Sequence, residues 1–439
     1  MQKILINKEK IKNFNKTIRV SGDKSLSIRW ILLASLASGI STARNLLISE
    51  DVLAAIQAIK KLGIKIILKN KECKIYGKGL NGYKYRKNIV IDAKNSGTLA
   101  RLLPGLLINS THKIKIIGDE SLSKRDFKRI ADPLTKFGAK FNLKNNKNLP
   151  LTIFGAKEPK PIKFTEKKGS AQVKSSVIFA GMRTDGLTFI KAKKSRNHTE
   201  SMSKYLNLPL KVISKKNYDN IYVSKVKKIK NLNYNIPSDI SSGAFFMVLT
   251  ALCENSQLVI KNVNINPSRI GVITILKKMG VKISFQNKQN YKGEKIADIK
   301  IESTKLIKPI NCPTKLNSSA IDEFLVIWIL AAKAKGISYF KNLEELNKKE
   351  SPRLIWGSRI LNKMGVKNIM TKNSIKIYGN PNLKINKKII IKDYLKDHRV
   401  FMTSVIAALS FGGVWNIANP ESIKTSFPNF LKIINELKK

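Results

Sequence analysis

Six similar segments recur along this 439-residue chain, each a short polar or small-residue opening that runs directly into an apolar stretch rich in Ala, Leu and Ile. The openings begin at Lys24, Asn95, Ser170, Asp239, Ile321 and Asp397. Successive openings lie roughly 70 to 80 residues apart, far more than the ~20–50-residue period of solenoids and propellers. The repeat unit is therefore a small folded subdomain that carries its polar groups at the same point in every copy.

Each opening predicts the start of a helix. The first turn of a helix has unpaired backbone N–H groups and a partial positive charge, so it attracts anions. Several such starts that converge on one cleft would bind phosphate and carboxylate groups. The pattern therefore predicts a ligand site for small anions.

Every repeat follows one plan, in which the first helix is followed by a strand, a second helix and a further strand. Strands after the first helix are predicted at 114–117, 186–190, 257–260, 337–340 and 414–417. Second helices are predicted at 52–62, 132–137, 271–279, 355–364 and 429–437, and this helix is degenerate near Tyr205 in the third repeat. The plan predicts an α/β protein with two domains of three repeats, which meet near Pro237.

The formal net charge of +54 raises the question of a nucleic-acid partner. Nucleic-acid surfaces tend to cluster basic residues on one face, often with interleaved aromatic side chains. Here the lysines are spread over nearly every segment, together with abundant Asn and Ile, as a compositional bias would leave them. We therefore favour compositional bias plus a cleft for an anionic substrate, and expect no nucleic-acid partner.

Three observations restrict the location and the cofactors. The longest apolar runs, 245–252 and 324–332, are shorter than the ~20 residues that a membrane helix needs, and residues 1–20 contain no apolar signal region. We therefore expect a cytoplasmic protein without a membrane partner. The three Cys and three His residues form no C-x-x-C or H-E-x-x-H pattern, so we expect neither a disulfide framework nor a metal site.

A few charged side chains stand at apolar boundaries, apart from the lysine background. Lys24, Arg29, Arg125 and Arg399 are the basic ones. Asp322 lies at the mouth of the apolar run 324–332, where a buried carboxyl could act as a general base or could simply cap the helix. Nothing in the neighbouring sequence decides between these two roles.

Taken together, these segments resemble the enolpyruvyl transferase family, and most closely its members that use shikimate 3-phosphate. The matching segments are 21–29, 95–98, 118–122 with Arg125, 170–175, 195–200, 239–242, 321–323, 349–353, 397–399 and 426–428. They follow the order of the family along nearly the whole chain. One such match would be weak evidence, whereas ten in order are specific.

The resemblance implies a two-domain, inverse α/β barrel-like fold with three βαβαββ repeats in each domain. Residues 22–236 would form the N-terminal domain, residues 1–21 plus 237–439 the C-terminal domain, and the active site would lie in the interdomain cleft. The implied reaction transfers the enolpyruvyl group of phosphoenolpyruvate to the 5-hydroxyl of shikimate 3-phosphate. It needs these two small-molecule substrates and no cofactor or metal, and we expect a monomer.

The resemblance also implies a role for each matching residue. The catalytic residues would be Asp322, Glu350 and Lys24. Shikimate 3-phosphate would be bound by Lys24, Ser25, Arg29, Ser170, Gln172, Ser195, Asp322 and Lys349. Phosphoenolpyruvate would be bound by Lys24, Asn95, Gly97, Arg125, Gln172, Arg353, Arg399 and Lys424.

The chain departs from the family pattern at three places. Lys94 stands where members usually have Gly, and Pro352 stands where they usually have Asp. At the C-terminal lysine position, Lys424 competes with Thr425, because the alignment on the following Phe-Pro pair favours the threonine.

Two other functions fit parts of the pattern. A UDP-N-acetylglucosamine enolpyruvyl transferase would need a Cys in the loop 120–124, which contains none. An RNA 3′-terminal phosphate cyclase, which uses related repeats, would explain the charge but would need a nucleophilic His. His398 already has an explanation within the segment 397–399.

Overall fold

The computed structural model describes residues 4–439, which divide into two compact units. Unit 1 contains residues 4–21, 237–290 and 295–439, and unit 2 contains residues 22–236 and 291–294. Each unit has its own hydrophobic core. Unit 1 is thus built from both ends of the described chain, and unit 2 largely from its first half.

The strands of unit 2 are β3 (Ser38–Arg44), β4 (Lys65–Lys69), β5 (Glu72–Lys78), β6 (Ile89–Asp92), β7 (Ile114–Ile117), β8 (Lys140–Lys144), β9 (Asn148–Phe154), β10 (Lys163–Glu166), β11 (Leu187–Lys193), β12 (Leu210–Ser214), β13 (Tyr218–Ser224) and β14 (Tyr234–Asn235). Its helices are α1 (Lys24–Ser35), α2 (Glu50–Lys61), α3 (Gly97–Leu106), α4 (Glu120–Ser123), α5 (Lys128–Thr135), α6 (Ala171–Gly181) and α7 (His198–Tyr205).

The strands of unit 1 are β1 (Ile4–Asn7), β2 (Asn15–Ile18), β15 (Gln257–Asn264), β16 (Lys282–Tyr291), β17 (Glu294–Glu302), β18 (Gly336–Phe340), β19 (Asn368–Met370), β20 (Ile375–Gly379), β21 (Lys388–Ile391) and β22 (Val414–Ala418). Its helices are α8 (Ile240–Leu252), α9 (Gly271–Lys278), α10 (Asn317–Ala320), α11 (Phe324–Ala332), α12 (Arg353–Lys363), α13 (His398–Phe411) and α14 (Phe430–Lys438). Short 3₁₀ turns lie at Thr314–Leu316, Glu344–Lys348 and Pro420–Thr425.

Residues 4–439 form six sheets, one for each repeat, and this confirms the predicted fold class. The strand orders in unit 2 are β14-β3-β5-β4, β6-β7-β9-β8 and β10-β11-β13-β12, and those in unit 1 are β16-β17-β15-β2, β18-β20-β19 and β1-β22-β21. Five of these sheets contain one parallel pair that continues into antiparallel pairing. In the β18 sheet the parallel partner is reduced to a single bridge between Asn311 and Tyr339.

The first two strands complete sheets whose other strands come much later in the chain. β1 pairs with β22, with Ile4 opposite Ala418, and β2 pairs in parallel with β15, with Ile18 opposite Ile260. β14 likewise runs parallel to β3. The repeats are therefore closed by pairings over long sequence distances.

The first helix of each repeat lies inside its unit, and the strands of the same repeat flank it. Every residue of α8 and α11 is buried, and α8, α11 and α13 contact one another. In unit 2, α3 contacts both α1 and α6. A helix that is apolar on all sides is stable only where it is buried, which is why the sequence shows long apolar runs without helical amphipathicity.

The predicted element positions are largely confirmed, with shifts at the ends. The strand predicted at 186–190 runs from Leu187 to Lys193, and the one predicted at 257–260 continues to Asn264. The helix predicted at 132–137 begins four residues earlier and ends two residues earlier, at Thr135. Within residues 4–439, no helix is both long and apolar enough to cross a membrane.

Candidate active site

Polar side chains of the openings cap five of the six first helices. Each accepts a hydrogen bond from a backbone N–H of the first turn, as N-cap residues do. The pairs are Asp23 with Leu26 (2.9 Å), Ser96 with Leu99 (3.4 Å), Ser170 with Val173 (3.4 Å), Asp239 with Ser241 (2.8 Å) and Asp397 with Arg399 (2.9 Å). The fifth opening differs, because α11 begins at Phe324 and Asp322 lies in the preceding turn. The N-cap residue of α11 is therefore Glu323, and Asp322 lies one residue before it.

Lys24 is the first residue of α1 and forms an ion pair with Asp51. Its Nζ lies 2.9 Å from Asp51 Oδ2, and Asp51 belongs to the first turn of α2. The Lys24 side chain is about one-quarter exposed, whereas that of Asp51 is almost buried. The pairing of α1 with α2 thus fixes the ammonium group and places a carboxylate beside it.

Arg29 is buried and is held by neutral oxygen atoms. Its Nε donates to Thr199 Oγ1 (2.8 Å), one Nη to Ser175 Oγ (3.2 Å) and the other to the Ser25 carbonyl (3.1 Å). Arg29 takes part in none of the ion pairs formed within residues 4–439. Burial lowers the pKa of Arg29 to about 10, against a smaller opposing effect of Glu200.

Asn95 and Gly97 position a pair of arginines. Asn95 Oδ1 accepts from an Nη of Arg125 at 3.2 Å. A Cβ at Gly97 would lie 3.1 Å from an Nη of Arg125 and 3.1 Å from an Nη of Arg101, so both guanidinium groups approach the bare backbone. Arg101 in turn donates to Gln172 Oε1 at 2.7 Å. Arg101, which the sequence analysis missed, thus connects Gln172 with the backbone of Gly97, beside Arg125.

Two of the three predicted serines, Ser170 and Ser195, differ in their bonding. Ser170 Oγ is engaged as the N-cap of α6. Ser195 Oγ is buried and has no hydrogen-bond partner among the described residues. A buried hydroxyl without a partner costs free energy, about 1–3 kcal/mol, unless a ligand or water binds it. Of the two, Ser195 has the hydroxyl that remains to be satisfied.

The predicted acidic residues of unit 1 surround one arginine. Arg353 donates through Nε to Asp397 Oδ2 (2.9 Å), through one Nη to Asp322 Oδ1 (3.2 Å) and through the other to Glu350. Lys349 Nζ also donates to Asp322 Oδ1, at 3.1 Å. This cluster gathers four predicted residues, and adds Asp397, which was predicted only as part of an opening.

Burial and charge oppose each other in this cluster. Burial alone would lower the pKa of Arg353, but the charges of Asp397, Glu350 and Asp322 together raise it. Burial alone would raise the pKa of Asp397, but the Arg353 charge holds it below its usual value. The cluster is thus a set of ionised groups that stabilise one another.

Arg399 and Lys424 have different surroundings. Arg399 donates through an Nη to the Asp322 carbonyl at 2.6 Å, which joins it to the Arg353 cluster. The Lys424 side chain is exposed and forms no hydrogen bond or ion pair with the described residues. Thr425 instead contacts His398 Nδ1, at 3.2 Å. The structure therefore brings Thr425, rather than Lys424, into contact with the residue next to Arg399.

The departures from the family pattern at Lys94 and Pro352 have local explanations. Lys94 has a φ of 51°, in the left-handed region that favours Gly, and its Nζ pairs with Asp92 Oδ2 at 2.7 Å. Pro352 occupies the N-cap of α12 and cannot cap it with a side-chain oxygen. Asn347 replaces that cap, because its Oδ1 accepts from the Leu354 N–H at 3.2 Å.

Sequence reasoning missed Asp51, Arg101, Ser175, Thr199 and Asp397 as site residues. Three of them, Ser175, Thr199 and Asp397, lie inside segments that matched the family pattern, so the signal was present. Asp51 and Arg101 lie outside these segments, and their roles follow from contacts alone. Among residues 4–439, no three His, Cys, Asp or Glu side chains are grouped so that they could hold a metal ion.

Comparison with known proteins identifies the family. The family described as EPSP synthase (3-phosphoshikimate 1-carboxyvinyltransferase) matches residues 8–434. The chain belongs to the EPSP synthase family. A 3-phosphoshikimate 1-carboxyvinyltransferase of Ruthia magnifica is 40% identical over 96% of this chain and 94% of its own length. One of Bacillus cytotoxicus is 37% identical over 95% and 97%.

Solved structures agree with this family assignment. An EPSP synthase from Acinetobacter baumannii superposes with a TM-score of 0.87 and 35% identity, over 100% of this chain and 98% of that one. The enolpyruvyl transferase NikO from Streptomyces tendae superposes with a TM-score of 0.75 at 13% identity, over 100% and 98%, and shares the fold. EPSP synthase membership decides against the nucleotide-sugar transferase and the RNA cyclase, and confirms the predicted family resemblance.

Proposed function

We propose that this member of the EPSP synthase family transfers the enolpyruvyl group of phosphoenolpyruvate to the 5-hydroxyl of shikimate 3-phosphate and releases phosphate. The observation that carries this function is the family match over residues 8–434, together with relatives of the same name along nearly the whole chain. The reaction is a step of the shikimate pathway.

The chemistry requires cations and a proton carrier. C3 of phosphoenolpyruvate takes up a proton, and the 5-hydroxyl oxygen then forms a bond to C2 and loses its own proton. The resulting tetrahedral adduct breaks the C2–O bond to phosphate and gives up a proton from C3. Cationic groups stabilise the phosphate and carboxylate charges, and positioned acids and bases move the protons.

We assign the anion-binding roles to residues in both units. Shikimate 3-phosphate is bound by Lys24, Ser25, Arg29, Ser170, Gln172, Ser195, Asp322 and Lys349. Phosphoenolpyruvate is bound by Lys24, Asn95, Gly97, Arg125, Gln172, Arg353 and Arg399, with Lys424 as a further candidate. Two hydrogen bonds support the phosphoenolpyruvate-binding assignment, because they fix the side chains of predicted residues. Arg125 donates to Asn95, and Arg101 donates to Gln172.

The proton transfers are assigned to Asp322, Glu350 and Lys24. Asp322 is the base toward the 5-hydroxyl, and its orientation is fixed at Oδ1 by Lys349 and Arg353. Glu350 contacts the same arginine, and Lys24 has Asp51 as a proton partner. A carboxylate held by two cations keeps a fixed direction, which general base catalysis requires.

Units 1 and 2 are proposed as the two domains of the enzyme, each with three repeats. We also expect the enzyme to be a monomer. Light scattering should therefore give the mass of one chain, and the mass of two chains would overturn this expectation.

We expect no salt-sensitive binding of RNA to this protein, because the basic residues are not clustered in the sequence.

The first experiment measures phosphate release from phosphoenolpyruvate, without added metal, with either shikimate 3-phosphate or UDP-N-acetylglucosamine as acceptor. We expect phosphate release with shikimate 3-phosphate as acceptor and none with UDP-N-acetylglucosamine. Release only with the nucleotide sugar would keep the fold but overturn the substrate, and no release with either acceptor would overturn the proposed activity.

A further inference from the structure

The hydrogen bonds around Arg29 form a closed ring. Arg29 Nε donates to Thr199 Oγ1, Thr199 and Ser175 share a hydrogen bond of 2.7 Å, and Ser175 Oγ accepts from an Nη of Arg29. Thr199 and Ser175 are fully buried, and Arg29 is 2% exposed. Two neutral hydroxyls thus contact one edge of the guanidinium group and fix its plane.

The position of Thr199 is itself fixed from both sides. The residue before it, His198, lies with its Nδ1 2.8 Å from Glu294 Oε1. The residue after it, Glu200, forms an ion pair of 2.6 Å with Lys174. All these side chains are buried, and all belong to unit 2. The first turn of α7 is therefore anchored by two charged contacts, with the Thr199 hydroxyl between them.

Neutral partners have a consequence that acidic partners would not have. Arg353 in unit 1 is surrounded by three carboxylates, so its charge is already compensated. Arg29 has no such partner within the described residues, and a buried cation without a counter-ion is unfavourable unless an anion binds beside it. The ring thus orients Arg29 without consuming its charge.

We propose that Thr199, together with Ser175, is a positioning residue that orients Arg29 toward the anionic group of shikimate 3-phosphate. This inference rests on the proposed function. Thr199 acts through Arg29 and does not itself need to touch the substrate. Its branched side chain has few rotamers in a helix, which makes the hydroxyl a rigid acceptor.

The test compares three variants in steady-state kinetics. Thr199→Val removes the acceptor at nearly constant volume, and Thr199→Ser keeps it. Thr188→Val is the matched control, because Thr188 is also fully buried in unit 2 and its hydroxyl has no partner among the described residues. Thr199→Val should raise the KM for shikimate 3-phosphate about tenfold or more, as expected for a lost hydrogen bond to a charged group.

The other expected values separate positioning from loss of structure. The KM for phosphoenolpyruvate should change less than about twofold in Thr199→Val, and Thr199→Ser and Thr188→Val should resemble the wild type. In an Arg29→Lys background, Thr199→Val should have little further effect, because residues in one network are not additive. If the effects of Arg29→Lys and Thr199→Val on the KM for shikimate 3-phosphate are fully additive, the proposal is overturned. This holds even if Thr199→Val lowers the stability of the protein.

Failure of the inference can be told from failure of the proposed function. A wild-type enzyme that turns over shikimate 3-phosphate, with an unchanged KM in Thr199→Val, would overturn the positioning role alone. A wild-type protein without this activity would overturn the proposed function, and the positioning role with it.

Discussion

Replacement of Gly97 by alanine should weaken phosphoenolpyruvate binding without a net gain in the stability of the fold. Gly97 is the first residue of α3, and its φ lies outside the left-handed region, so the backbone accepts alanine. Alanine in a helix is favoured over glycine by about 0.5–1 kcal/mol. The new Cβ, however, would lie 3.1 Å from Nη atoms of both Arg101 and Arg125.

The size of the binding effect follows from this distance. A carbon at 3.1 Å from a nitrogen is too close by a few tenths of an ångström, so both guanidinium groups must move. The bonds from Arg125 to Asn95 (3.2 Å) and from Arg101 to Gln172 (2.7 Å) then weaken. A charge-assisted hydrogen bond that is weakened in this way loses about 1–2 kcal/mol. If the binding free energy of phosphoenolpyruvate falls by that amount, its KM rises about 5- to 30-fold.

The assay combines phosphate release at varied phosphoenolpyruvate with a thermal melt. Gly243→Ala is the matched control, because Gly243 lies in α8, the first helix of another repeat. An added Cβ there would lie 3.4 Å from Met247 Cε and 3.5 Å from Ile260 Cδ1, at ordinary van der Waals distance. The control should melt slightly higher without a change in KM. An unchanged KM in Gly97→Ala would refute the role of Gly97 in making room for the two arginines.

Three further predictions concern single charged groups. Arg125→Ala should raise the KM for phosphoenolpyruvate about tenfold or more, measured by phosphate release, because a charge-assisted contact is lost. Asp322→Asn should lower turnover about 10²- to 10⁴-fold with a melting temperature near that of the wild type; normal turnover would exclude it as the base. The pKa of Asp397 is lowered in the fold, so the stability that its ionised form contributes is present above the unfolded value of about 3.9 and is lost as pH falls through the lowered value. The melting temperature should therefore fall steeply below about pH 4, and the fall should be less steep in Asp397→Asn.

The local features of the fold were predictable because they depend on neighbouring residues. The helix starts at Lys24, Ala171, Ile240 and His398 follow from a capping or polar residue before an apolar run. The start of α11 at Phe324 agrees with the predicted apolar run 324–332. The bonds that Lys349 and Arg353 donate to Asp322, in the turn before this helix, could not be read from the local sequence.

Contacts over long sequence distances were not predictable from one sequence. Thr199 lies 170 residues from Arg29, and Asp397 lies 44 residues from Arg353. No periodicity connects residues at such distances, and a buried hydroxyl looks like any other polar residue in a helix. The family resemblance supplied the proposed substrate-binding residues, while their contacts with residues distant in sequence became visible only in three dimensions.

The pairing of β1 with β22 and of β2 with β15 has a consequence for synthesis on the ribosome. Nearly all of unit 2 has been translated by residue 236, and domains generally begin to fold as they emerge. The residues of β1 must wait until β22, at Val414–Ala418, has left the exit tunnel. Until then an unpaired strand is exposed to other nascent chains, which is an aggregation hazard. β1 is thus made before the other described strands and is among the last of them to find its partner.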